Sequence, residues 1–157
     1  MLNQFENYLT FENIYLCCTF GILPFWLLII FFPKSGFTQF FINSIILPLI
    51  LSIAYIYIIN QAISMDQSFL DVFAIYLSLD NLYTLFSTES FLLVFWLHFL
   101  ALNLFVGSWM SRDAVKYNMS RSLTFAPLIL VYLAGPLGLV LYWFIRVFYA
   151  KKLGFHD

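Results

Sequence analysis

Residues 91–110 read FLLVFWLHFLALNLFVGSWM, a run of twenty residues with one titratable side chain, His98. Crossing a hydrocarbon core about 30 Å thick takes about 20 helical residues. The first charged residues after the run are Arg112 and Asp113, which mark the return to a polar environment. The stretch therefore predicts a transmembrane helix, and it sets the class of the whole chain.

The composition favours the same environment over the full length. Of 157 residues, 63% are hydrophobic and 10% are charged, against about 45–50% and about 25% in soluble domains. A soluble chain this short has too little interior to bury so much apolar surface. We therefore predict a single all-α integral membrane domain over residues 1–157. The net charge of −1 and the lack of a basic stripe predict no nucleic-acid partner.

Three other runs have the length of a span. The four predicted spans are Ile14–Phe32, Phe40–Ile59, Phe91–Met110 and Thr124–Ile145. Their apolar residues are continuous instead of alternating, which favours a bundle of helices over a barrel. Pro136, near the middle of the last run, has no N–H to bond the carbonyl four residues before it, so that helix is predicted to kink.

The stretch Ser64–Ser90 is less apolar than the spans. It carries four acidic residues and no basic one, while its apolar residues recur loosely at helical spacing. We predict an amphipathic helix that lies at the membrane interface or is partly inserted. A fifth span is the alternative, but it would bury Asp71 and Asp80 at a cost of about 3 kcal/mol each.

The basic residues give little guidance on orientation. With four spans, one side would carry Lys34, Arg112, Lys116 and Arg121, and the other would carry Arg146, Lys151 and Lys152. Four against three is a small bias for the positive-inside rule, and we favour a cytoplasmic side for the loop after the third span. The first residues lack the basic start of a secretory signal and the Arg- and Ser-rich pattern of a transit peptide. The expected location is a bacterial inner membrane, crossed several times.

Polar side chains inside the third span are candidates for chemistry, because a polar group in lipid usually faces protein or a cavity. At about 100° per residue, His98, Phe105 and Trp109 share one helix face. Asn103 shares another face with Trp96. His98 can act as an acid, a base or a hydrogen-bond donor near neutral pH. Interhelical packing is the alternative role for both His98 and Asn103.

The fourth run carries small residues near its middle. Gly135 and Gly138 share a face with Tyr142, and they allow another helix or a flat ligand to approach the backbone closely. Aromatic residues make up 22% of the chain, and a cleft between kinked helices would suit a long apolar molecule. The sequence contains no metal-ligand cluster, P-loop or dinucleotide fingerprint.

An ordered set of residues resembles the abscisic-acid-deficient-four-like family of membrane proteins. It reads W-x-H-x-x-A-x-N-L-F-x-G-x-W-x-x-R-D over residues 96–113, then G-P-x-G at 135–138 and Y-x-x-x-R at 142–146. Plants use the founding member to make neoxanthin from violaxanthin, so the resemblance implies action on a carotenoid or a related terpenoid. The family usually has an aspartate at the position of Asn103, and an asparagine there can only hydrogen-bond.

The resemblance to a neoxanthin synthase implies a cofactor-free isomerisation. A 5,6-epoxide opens while a nearby C–H is lost, which gives an allene and a tertiary alcohol with no net redox change. Such a reaction needs an acid near the epoxide oxygen and a base near the departing proton, and we assign these roles to His98 and Asp80. Arg112 and Asp113 are expected to form an ion pair at the membrane boundary. The expected substrate-binding residues are Asn103, Trp96, Phe105, Trp109, Gly135, Tyr132 and Tyr142.

Two other hypotheses stay open at this point. One is a carotenoid- or lipid-binding accessory protein without activity, which would partner a biosynthetic enzyme or a second copy of itself. The other is a structural membrane protein without a small ligand. A transporter is disfavoured, since four short spans without repeats offer little machinery for alternating access. The expected partners are a carotenoid or another hydrophobic ligand and the membrane lipid.

Overall fold

The computed structural model describes residues 10–42, 46–64, 73 and 75–151. Within these ranges the chain forms seven α-helices and a short π-helical turn at Thr38–Ile42. In chain order the α-helices are α1 (Phe11–Gly21), α2 (Leu23–Phe31), α3 (Ile46–Ser64), α4 (Leu79–Phe86), α5 (Glu89–Lys116), α6 (Arg121–Ala134) and α7 (Pro136–Ala150). Each of these elements is helical, which confirms the predicted all-α class.

Two helical stretches of the described chain are long and apolar enough to cross a membrane. They are Phe11–Phe31, which contains α1 and α2, and Glu89–Lys116, which is α5. They correspond to the predicted first and third spans. The other apolar helices are shorter. In α3 the apolar helical stretch extends from Ile46 to Gln61. The four full-length spans predicted from the sequence are therefore not confirmed.

The first stretch breaks at Ile22, between α1 and α2. Pro24 stands in the first turn of α2 and has no N–H to continue the helix from α1. The next two N–H groups, those of Phe25 and Trp26, both bond the carbonyl of Ile22 over 3.1 Å. The proline therefore starts a new helix within the predicted span Ile14–Phe32.

The predicted fourth span is broken more severely, into a helical hairpin. Gly135 separates α6 from α7 with a φ of +43°, a conformation that glycine adopts readily. Beyond it α7 packs back against α6. The two helices are so close that a Cβ on Gly138 would meet the backbone nitrogen of Val131 and lie 2.6 Å from the carbonyl oxygen of Pro127. In one continuous helix residues 127 and 138 would lie about 16 Å apart.

The hairpin corrects the prediction of a continuous span over Thr124–Ile145. Its arms have 14 and 15 residues, or lengths of about 21 Å and about 22 Å, against a hydrocarbon core of about 30 Å. Pro136 does not kink a helix here. It is the first residue of α7, where its missing N–H costs little.

The chain divides into two compact units. Unit 1 comprises Met1–Gly21 and Ile50–Phe99, and unit 2 comprises Ile22–Leu49 and Leu100–Asp157. The core of unit 1 joins Ile14 of α1 and Ile58 of α3 to Leu93, Val94 and Leu97 of α5.

In unit 2, α7 runs parallel to the second half of α5. The rings of Trp109 and Tyr142 meet edge to face at 5.7 Å, and one turn further on Asp113 contacts Arg146. α6 runs the opposite way, with its residues packed on α2. Helix α5 approaches α2 so closely that a Cβ on Gly107 would overlap the indole of Trp26.

Part of the predicted interfacial segment Ser64–Ser90 is described as α4. Ser78 caps this helix by accepting a hydrogen bond from the Asn81 N–H over 3.1 Å. Large apolar side chains around it are more than 70% exposed: Tyr76, Leu77, Leu79 and Tyr83. Asp66 and Asp71 lie outside the described residues. The interfacial placement stays a prediction.

Candidate functional site

One candidate ligand site is a cavity of about 1060 Å³ in unit 1, between the first turns of α1 and α5. Aromatic and aliphatic side chains form most of its wall, and we call it the aromatic cavity. Its lining residues are Thr10, Phe11, Glu12, Tyr15, Phe86, Glu89, Leu92, Leu93, Phe95 and Trp96.

Trp96 is held in this wall by a hydrogen bond and by two ring contacts. Its indole N–H donates to the hydroxyl of Thr19 on α1 over 2.8 Å. The ring stacks on Phe99 at 5.5 Å and lies 5.8 Å from the ring of Tyr15. A buried indole usually needs such a hydrogen bond, so Thr19 fixes the orientation that presents the apolar face of Trp96.

Two carboxylates, Glu12 and Glu89, also line the aromatic cavity. They stand in the first turns of α1 and α5, and Thr10 caps α1 by accepting a hydrogen bond from the Asn13 N–H over 3.2 Å. Acids at these positions complement the helix dipoles. They also give an otherwise apolar cavity two groups that can donate or accept a proton.

The predicted catalytic residues, His98 and Asp80, lie in unit 1 but away from the wall of this cavity. His98 is exposed on α5, with its ring 6.2 Å from that of Tyr55. Asp80 is exposed in the first turn of α4. In the described part of the chain no hydrogen bond or ion pair joins the two side chains. Their catalytic role stays a prediction.

Of the two predicted faces of α5, the Asn103 face is the buried one. Asn103 is 7% exposed and Gly107 is buried, whereas Phe105 is 48% exposed on the other face. Asn103 lies against the turn of the hairpin, since a Cβ on Gly135 would lie 2.7 Å from its Oδ1. Its Nδ2 is buried without a hydrogen-bond partner among the described residues.

The predicted substrate-binding residues are thus divided between the units. Trp96 lines the aromatic cavity of unit 1. The other six belong to unit 2, where Asn103 meets Gly135, Trp109 meets Tyr142, and Tyr132 lies edge-on to Trp26 at 5.5 Å. Phe105 is exposed. Their role in binding a substrate stays a prediction.

A buried polar cluster in unit 2 was only partly anticipated. The Oδ2 of Asp113 accepts hydrogen bonds from the Tyr142 hydroxyl and from Nε of Arg146, each over 2.7 Å. The guanidinium of Arg146 lies 5.1 Å from the ring centre of Tyr117. We call these four residues the polar cluster. The side chain of Arg146 is 1% exposed and that of Asp113 is 10% exposed, so the two charges pair away from solvent.

The expected ion pair between Arg112 and Asp113 is wrong. Successive helix residues point about 100° apart, so Arg112 is exposed while Asp113 turns towards α7 and pairs with Arg146. The pairing had a sequence signal. Tyr142 and Arg146 are four positions apart and share a helix face, and so do Asp113 and Tyr117.

The hairpin also gathers at one end the basic residues that the structure describes in unit 2. Arg146 meets the last turns of α5, and Lys34 and Arg121 line one cavity together with Ala114 and Val115. Because α6 leaves this end and α7 returns to it, the residues on both sides of the hairpin lie together. This basic end contains Lys34, Arg112, Lys116, Arg121, Arg146 and Lys151.

No group of three or more metal-ligating side chains occurs in the ranges that the structure describes. Neither a curated protein nor a solved structure matches the sequence significantly. The sequence profile of ABA DEFICIENT 4-like proteins matches residues 13–142, which covers α1 to the middle of α7. The resemblance found in the sequence is therefore confirmed, and the chain belongs to the ABA DEFICIENT 4-like family.

Proposed function

We propose that this protein is a membrane isomerase that binds an epoxy-carotenoid or a related terpenoid in the aromatic cavity. The cavity itself is the observation that carries the proposal. Its volume of about 1060 Å³ is slightly above the usual range for small-molecule sites, about 300–1,000 Å³. Aromatic walls suit a conjugated hydrocarbon. Membership of the family links the chain to abscisic acid and neoxanthin biosynthesis, which supports the same ligand class.

The reaction would conserve all atoms and electrons. A base removes a proton from the polyene chain, the carbon–oxygen bond of the epoxide breaks, and an acid delivers a proton to the oxygen. The products are a new carbon–carbon double bond and a hydroxyl group. Glu12 and Glu89 line the cavity and supply one carboxyl group for each task. His98 and Asp80 are the competing assignment, which rests on the family resemblance.

The hairpin suggests how unit 2 meets the membrane. We propose that α5 crosses the bilayer and that α6 and α7 enter from the end of α5 and return to the same side. Non-helical backbone at membrane depth requires protein around it, and Asn103 provides this at Gly135. The basic end would then face the cytoplasm. We propose that the protein is located in a bacterial inner membrane, which it crosses several times.

Bacteria that make epoxy-carotenoids would test the enzymatic proposal. We expect cells with the wild-type protein to accumulate an allenic isomer of unchanged mass, detected by chromatography and mass spectrometry. Glu89→Gln and Glu12→Gln should abolish the product, while His98→Ala and Asp80→Asn should retain it. The reverse pattern would move the chemistry to His98 and Asp80. An unchanged pigment profile with the wild-type protein would exclude the isomerase.

A non-catalytic carotenoid-binding role is the second candidate, and one observation favours it. Glu12 and Glu89 are both exposed, and no described side chain hydrogen-bonds either carboxylate. Catalytic groups are usually held in position by hydrogen bonds from surrounding residues, and these two carboxylates have no such support from described side chains. The same cells distinguish the roles, because an accessory protein would carry pigment through purification without forming a new product.

A further inference from the structure

A second cavity, in unit 2, has the charge and the polar groups of an anion site. It measures about 230 Å³ and lies between the end of α2, the last turns of α5 and the start of α6. Lys34 and Arg121 line it, and its wall contains no acidic residue. Neither cation forms an ion pair with a residue in the described ranges. We call it the anion cavity.

The start of α6 adds partial positive charge to this cavity. Ser120, Arg121 and Thr124 line it, and Ser120 precedes the helix without capping it through its side chain. The first N–H groups of a helix have no intrahelical acceptor, and the helix dipole favours an anion beside them. An oxyanion would therefore meet the helix N-terminus and two cationic side chains together.

The buried hydroxyl of Ser111 is an independent observation that supports ligand binding in this cavity. This residue of α5 lies on the cavity wall and is 1% exposed. Its Oγ has no hydrogen-bond partner among the described residues. A buried hydroxyl without a hydrogen-bond partner destabilises the folded protein. A ligand oxygen in the anion cavity would give Ser111 the acceptor that the protein does not provide.

We propose that the anion cavity binds the phosphate group of an anionic ligand. A water molecule occupies about 30 Å³ of liquid, so about 230 Å³ holds a group of several non-hydrogen atoms. The phosphate has two sources, a phospholipid headgroup or free phosphate. The lipid is favoured by a wholly apolar groove of about 250 Å³ between the same helices α2 and α6, walled by Trp26, Phe31 and Phe125 among others, where an acyl chain would lie.

Titration of the detergent-purified protein tests the site. The probes are phosphatidylglycerol, diacylglycerol with the same acyl chains as a control without phosphate, and inorganic phosphate, each followed by thermal unfolding. We expect phosphatidylglycerol to raise the unfolding temperature and diacylglycerol to have no effect. A response to inorganic phosphate alone would support the same site with a soluble ligand. An equal response to diacylglycerol, or no response to either phosphate probe, would overturn the proposal.

Three variants locate the binding. Arg121→Gln should weaken phosphate binding about tenfold, while Arg112→Gln, an exposed arginine outside the cavity, should not. Ser111→Ala should also weaken binding, yet leave the ligand-free protein as stable or more stable, because it removes an unsatisfied hydroxyl. A merely structural serine would not produce that opposite pair of effects. Equal losses in the two arginine variants, or full affinity in Ser111→Ala, would overturn the assignment. The test is independent of carotenoid binding.

Discussion

Arg146 and Asp113 are 33 positions apart in the sequence and are joined by a hydrogen-bonded ion pair, Nε to Oδ2, of 2.7 Å. Their side chains are 1% and 10% exposed, so both have lost most of their hydration. Tyr142 donates to the same carboxylate oxygen. A shift of α7 along α5 would break this buried ion pair, and the pair therefore fixes the register of the two helices.

Removing one member of this pair should destabilise the protein strongly. We expect Asp113→Asn or Arg146→Gln to lower the free energy of unfolding by about 3–5 kcal/mol, because each removes one partner of a buried, hydrogen-bonded ion pair. Thermal unfolding in detergent, followed by circular dichroism, should show a decrease of about 6–20 °C in the midpoint.

The double variant Asp113→Asn/Arg146→Gln provides the decisive comparison. It removes both charges, so its loss of stability should be smaller than the sum of the two single losses. Arg112→Gln, on the exposed side of α5, should change stability by less than about 0.5 kcal/mol. Additive losses in the double variant would show that the pair does not hold the helices in register.

Gly135 should not tolerate a side chain. In Gly135→Ala the Cβ would stand 2.7 Å from Oδ1 of Asn103, at a φ of +43° that other residues rarely adopt. Overpacking typically costs about 1–3 kcal/mol, and the backbone conformation adds about 1–2 kcal/mol. The free energy of unfolding, measured by denaturant titration in detergent, should fall by about 2–5 kcal/mol.

Gly21→Ala is the matched control, because a Cβ on Gly21 would have no atom within 4 Å outside its chain neighbours and its own helix backbone. We expect it to leave stability unchanged or slightly raised, since alanine favours helix more than glycine does. Adding Asn103→Ser to Gly135→Ala should recover the steric part of the loss only. A stable Gly135→Ala protein would argue against the hairpin turn.

The sequence predicted some helices well and failed where proline and glycine act together with distant contacts. The predicted span Phe91–Met110 lies inside α5, which continues through Arg112 and Asp113 to Lys116. Charged residues normally end an apolar run, but Asp113 finds its partner on another helix. In the run Thr124–Ile145, the local sequence around Gly135 and Pro136 predicted only a kink. Only the packing of Gly138 on Val131 shows that the chain reverses.

The candidate site shows the same limit. His98 and Asn103 were candidates because they are polar residues within an apolar helix. The sequence could not predict their different burial, since His98 is exposed and Asn103 is packed in the folded chain. Glu12 and Glu89 were not among the candidate site residues predicted from the sequence. They line one cavity because α1 and α5 start side by side, a tertiary relation that no local pattern contains.

The hairpin changes the expected topology, and cysteine labelling can test it. In a background without Cys17 and Cys18, we expect Ser122→Cys at the start of α6 and Tyr149→Cys near the end of α7 to label from the same, cytoplasmic side. The basic end then follows the positive-inside rule as one group. Intact cells treated with impermeant and permeant maleimides give the measurement.

A continuous fourth span gives the opposite labelling result. It would place Ser122→Cys and Tyr149→Cys on different sides of the membrane, so that one of them reacts with the impermeant reagent in intact cells and the other does not. That pattern would contradict the return of α7 to the side from which α6 enters.

The proposed function depends on ligand binding in the aromatic cavity, and the pigment content of the purified protein tests this binding. We would purify the protein from carotenoid-producing bacteria and measure bound polyene per protein by its visible absorbance. Leu92, 51% exposed on the cavity wall, and Leu102, 50% exposed outside it, give a matched pair. We expect the wild type and Leu102→Trp to retain pigment, and Leu92→Trp, which fills the cavity, to lose most of it. Colourless wild-type protein, or equal pigment in both variants, would contradict the account.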